Sequence, residues 1–157
     1  MRILFIVVGI IALLGVAGGS LLLSTRNGNE AKGMAQIESE MGALGNLATK
    51  MAENLTGGEL PSKGAWQTAQ IFSYFVLLVA LFGIVALFLK GRIPMIAAGA
   101  VALFSILLWI LQPSIDAGPL GGANPKTIAL ILMVMGIVGA ACVFGVYNAN
   151  QKKATLA

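Results

Sequence analysis

Residues 3–23 read ILFIVVGIIALLGVAGGSLLL, a run with no Asp, Glu, Lys, Arg or His. At about 1.5 Å of rise per residue, roughly 20 apolar residues cross the ~30 Å hydrocarbon core of a bilayer. Three further runs, 71–89, 93–111 and 127–147, have the same length and the same lack of charge. In lipid every backbone polar group needs an internal partner, which leaves helices and closed barrels as spanning structures. The reading is therefore an all-α integral membrane protein, a four-helix bundle forming a single membrane domain over 1–157.

Arg2 in front of the first run, with Ala17, Gly18, Gly19 and Ser20 late in it, supplies the ingredients of a secretory signal. The apolar run nevertheless continues through Leu21, Leu22 and Leu23, which favours a retained span.

Composition narrows function by exclusion. A chain that is 58% hydrophobic and 10% charged has too much apolar surface for a soluble monomer of this size. The formal net charge of +4 is spread over loops and tail without interleaved aromatics, so no nucleic-acid footprint is present. There is no His, the usual metal ligand and general base, and the one cysteine, Cys142, lies inside the fourth run. No phosphate-binding loop, metal cluster or catalytic triad is visible, and no motif marks a family. The expectation is a protein that is not an enzyme and has no cofactor of its own, with structural lipids, or an apolar cofactor held by partner subunits, as the exceptions.

Positive charge sets the orientation. Four alternating spans put Arg2, Lys90, Arg92, Lys152 and Lys153 at one end, whereas the opposite end holds basic residues diluted over longer loops that also carry all the acidic ones. This predicts cytoplasmic termini, in a bacterial inner membrane. Trp66, Trp109 and Tyr147 fall near span ends, where amphipathic rings anchor in the headgroup layer. The Lys90-Gly91-Arg92 connection is short enough to force spans two and three side by side. Asn124-Pro125 reads as the cap and first residue of the last span.

Outside the membrane, one pattern stands out. Met34, Ile37, Met41, Leu44, Ala48, Met51 and Leu55 recur at spacings of three and four, which predicts an outer amphipathic helix over about 30–55. Its polar face is mildly acidic and it has no aromatic, unlike a helix that lies on lipid. The stripe of Met34, Ile37, Met41, Leu44, Met51 and Leu55 is thus the candidate partner-binding surface.

Within the spans, Gly15/Gly19, Ala98/Ala102 and Gly136/Ala140 place small residues four apart, the spacing that lets membrane helices approach closely. These are the candidate helix-packing residues. Rich in association surfaces and poor in reactive groups, the chain reads as a non-catalytic accessory or structural subunit of a larger membrane assembly. Its partners would be membrane lipids and other membrane subunits or copies of itself, with no nucleic acid. The alternatives are a homo-oligomeric pore or small-solute carrier and a membrane component of a virus or phage particle.

Overall fold

The computed structural model describes residues 2–56, 61–115 and 123–155, with the side chains of 37, 38, 40, 41, 43–46, 48, 49, 52–56 and 153–155 outside that description. The described residues form four helices, α1 (Arg2–Thr56), α2 (Lys63–Ala86), α3 (Ile93–Leu111) and α4 (Pro125–Thr155), and no strand. Each contains a segment long and apolar enough to cross a membrane.

Neighbouring helices run antiparallel. Along α1, Phe5, Gly9, Gly15 and Gly19 meet Gly145, Cys142, Met135 and Leu132 of α4, so one helix ascends as the other descends. On its other flank α1 meets α2 through Gly9 with Leu87, Leu13 with Gly83 and Gly28 with Gln70. Val101 against Gly83 and the stacked rings of Phe75 and Phe104, 6.1 Å apart, join α2 to α3. Ser105 against Gly136 joins α3 to α4. α2 and α4 touch across the middle, while α1 and α3 stand on the long diagonal.

Leu13 occupies the centre, fully buried between Gly83 of α2 and Gly139 of α4. Val16, Val76, Val101, Leu108, Val143 and Val146 complete the core above and below it. The outward faces remain apolar, with Ile3 and Leu22 of α1, Leu78 of α2, Ile96 of α3 and Ile131 of α4 all exposed. Apolar residues on both faces are what a bundle in lipid requires, because there the exterior solvent is hydrocarbon.

Local chemistry explains the helix ends. Ser62 caps α2 by accepting a hydrogen bond from Ala65 N–H at 3.3 Å. Asn124 caps α4 with its side-chain oxygen, which accepts from Lys126 N–H at 2.9 Å, and Pro125 opens the helix. The run 71–89 stays helical only to Ala86. Beyond it, Phe88 and Leu89 N–H donate to the carbonyls of Val85 and Ala86, closing the helix with tighter bonds before Gly91 turns the chain at φ 82°. α3 coincides with the run 93–111, and Pro94 lies in its first turn.

α1 departs most from the sequence reading. The outer helix does not begin as a separate element near residue 30, since the first span continues without interruption to a break at Gly42, φ 44° and ψ −118°. No Pro or cap interrupts 24–41, and propagating an established helix is easier than nucleating a new one. The bundle-facing stripe continues through Ser20, Ser24, Asn27 and Ala31, all buried. Small and polar residues thus carry on the packing face that apolar residues form lower down.

The break at Gly42 has a geometric cause. Ala35 and Lys63 line one cleft, so α2 begins about level with Ala35. A straight helix from Ala35 to Thr56 would extend about 32 Å, whereas the seven residues from Thr56 to Lys63 reach at most about 25 Å. Bending at Gly42 keeps the chain within reach of α2, and a positive φ is available to glycine at least cost.

Candidate functional site

The candidate packing residues lie in seams between helices of this chain. A Cβ on Gly15 would collide with the Met135 side chain, and one on Gly19 with Leu132, so both glycines are spaces that α4 fills. Gly136 receives the Ser105 hydroxyl and Cβ from α3 in the same way. Ala98 and Ala140 are buried, and Ala102 packs partly buried against the core.

Hydroxyls inside the spans mostly bond to their own helix. Ser20 donates to the Val16 carbonyl and Ser73 to the Ala69 carbonyl at 2.8 Å, the i−4 pattern expected of serine in a membrane helix. Ser105 is different: its hydroxyl is buried and has no hydrogen-bond partner among the described residues. Tyr74 faces outward and is exposed.

A buried polar layer closes the end of the bundle opposite Arg2 and the Lys90–Arg92 turn. Asn27 Nδ2 donates to Gln112 Oε1 at 3.1 Å, and Gln112 Nε2 donates back to Asn27 Oδ1 at 2.9 Å. Both residues are buried, so the pair links α1 to the residue that ends α3 across the long diagonal. Arg26 adds a 2.6 Å bond to the Ala123 carbonyl, which ties α1 to the approach of α4. Lys126 sits 6.0 Å from the centre of the Trp109 ring.

Trp66 is fully buried with its indole N–H unpartnered among the described residues, so it is a core residue and not the interface anchor its position suggested. On α1, Ser24 has a buried hydroxyl that likewise has no partner among the described residues. Hydrophobic periodicity carries no signal for Ser24, Asn27 and Gln112, because each is polar. Only the three-four spacing of Ser20, Ser24, Asn27 and Ala31 hinted at a shared face.

The candidate partner-binding stripe is divided by the break. Met34 precedes Gly42 and is half-buried, at the end of the bundle-facing stripe of α1. Met51 follows it and is exposed, as is Leu47 one turn earlier. Ile37, Met41, Leu44 and Leu55 are helical, but their side chains lie outside the described residues. The stripe is therefore carried on two helical segments with different axes and does not form one continuous face.

Among the described residues no group of three or more His, Cys, Asp or Glu is placed to hold a metal ion. No family model matches the chain, and no curated protein or solved structure matches it either.

Proposed function

We propose that this chain is a non-catalytic accessory or structural subunit of a larger membrane assembly. Its spans insert among neighbouring helices, and the segment of α1 beyond Gly42 acts as a docking arm. The observation that carries this reading is the pair Leu47 and Met51. They lie one turn apart, are 59% and 61% exposed, and sit well beyond Leu23, where the apolar, charge-free run of α1 ends. Apolar side chains on the lipid-facing surface have hydrocarbon as solvent, but these two extend past it, and burying them against a partner would recover the hydrophobic contribution.

The location proposed is a bacterial inner membrane with both termini cytoplasmic. Arg2, Lys90, Arg92 and Lys152 fall at one end of the antiparallel bundle, and clustered basic residues mark the cytoplasmic side.

Photo-crosslinkers placed at Leu47 and at Met51 in native membranes test the docking arm. Both positions should yield the same membrane protein as adduct, and Leu47→Asp with Met51→Asp should abolish it. Adducts only between copies of this chain would shift the reading to a homo-oligomer. A strictly monomeric chain with no adduct at either position would end the proposal.

A further inference from the structure

Between α1 and α2, just outside the apolar band, lies a cleft of about 280 Å³. Its α1 side is Gly28, Ala31 and Ala35, whose spacing puts three small residues on one face and leaves the space between the helices unfilled. The α2 side is different in kind: Lys63, Gln67 and Gln70 follow one another at spacings of four and three and line the same space. Lys32 of α1 completes the lining. We infer that this cleft binds a phosphate group, either the phosphodiester of an anionic lipid headgroup or a soluble phosphate anion.

The donor chemistry favours an anion. Lys32, Lys63, Gln67 and Gln70 line the space, and no carboxylate does so among the described residues. Glu30, close in sequence, falls on the opposite side of α1 at about 100° per residue. Gly28 gives the Gln70 amide its place, since a Cβ there would come within 2.6 Å of Gln70 Nε2. The carboxamide is therefore laid against the helix and held at the cleft.

The N-terminus of α2 adds to this. Ser62 satisfies the N–H of Ala65 and Trp66, while Lys63 and Gly64 at the start of the helix have no hydrogen-bond acceptor among the described residues. No acidic residue sits in that first turn. The partial positive charge of the helix end adds to the attraction for an anion.

Depth matches the headgroup layer. The apolar run of α2 starts at Ile71, so Gln70 marks the hydrocarbon edge, Gln67 stands about 4.5 Å beyond it and Lys63 about 10.5 Å. The polar layer of one leaflet is roughly 5–8 Å thick, and flexible lysine stems reach back into it. The volume equals that of about nine waters at ~30 Å³ each, enough for a phosphate group with part of a glycerol.

The test uses the full chain in phosphatidylcholine nanodiscs. One arm adds phosphatidylglycerol to the disc, the other adds inorganic phosphate to the solution, with bound mass and the rise in thermal midpoint as readouts. Wild type should bind saturably in at least one arm, and Lys32→Gln with Lys63→Gln should weaken it about tenfold or more. Gln67→Met, at an exposed position, should weaken it independently, whereas Lys90→Gln at the opposite end should not. Saturation by the lipid alone assigns a headgroup site, and saturation and competition by inorganic phosphate assign a soluble anion. If neither probe saturates, or Lys90→Gln loses as much as the double variant, the inference is overturned.

Discussion

Asn27 and Gln112 exchange two hydrogen bonds inside the bundle, one amide facing the other where α1 passes the end of α3. Each satisfies the other's donor and acceptor in a place shielded from water. Interhelical bonds in membranes contribute about 0.6 kcal/mol on average and up to about 1.7, but a single partner left behind costs more, roughly 1–3 kcal/mol. Asn27→Leu and Gln112→Leu should each lower stability in detergent unfolding by that larger amount. The double variant should lose less than the sum of the two, because it removes both amides. Strictly additive losses would show that the pair is not coupled.

Gly15 and Gly19 oppose different kinds of side chain on α4, and this predicts an order of damage. An added methyl at Gly15 meets Met135, whose unbranched chain can swing aside. At Gly19 it meets three atoms of the branched end of Leu132. Gly19→Ala should therefore cost more than Gly15→Ala, by about 1 kcal/mol within the range for overpacking. Thermal unfolding of the two variants in one detergent measures it, and a reversed order would contradict the packing described.

Ser105 and Gly136 form a lock whose two parts can be exchanged separately. Gly136→Ala drives a Cβ into both the hydroxyl and the Cβ of Ser105, so it should destabilise the α3–α4 seam by about 1–3 kcal/mol. Ser105→Gly in that background should restore most of the loss, and Ser105→Ala only part, since the Cβ remains. Ser105→Ala alone should be neutral or mildly stabilising, because it removes a buried hydroxyl that has no partner among the described residues. A double-variant cycle showing no coupling between these positions would refute the contact.

Hydrophobic run length disclosed the spans because lipid imposes one physical demand on every residue of a crossing helix. The run 93–111 coincides with α3, and capping chemistry located the start of α4 at Pro125. The outer part of α1 was legible only in its spacing. Periodicity registers apolar faces, and between Leu23 and Ala31 the buried face is serine, asparagine and glycine, so the pattern appeared to stop and restart. Trp66 misled for a related reason: an indole at a span end has the composition of an anchor, and only the tertiary packing shows that it is buried. The cleft depends on Gly28 and Gln70, residues 42 positions apart in sequence, and no local pattern joins them.

The arm's direction depends on one residue, Gly42. Its φ of 44° with ψ −118° is a combination that a Cβ makes costly, by about 1–3 kcal/mol, and among the described residues no neighbouring atom lies within 4 Å of where that Cβ would sit. Gly42→Ala should therefore leave the bundle's thermal midpoint unchanged while shifting the break elsewhere, since the reach to Lys63 forbids a straight helix. Spin labels at Asn29 and Leu47, both exposed, in a Cys142→Ala background would read the change as a shifted or broadened distance distribution. An unaltered distribution would mean that the bend is set by contacts further along the arm. In that case Gly42 would be its location and not its cause.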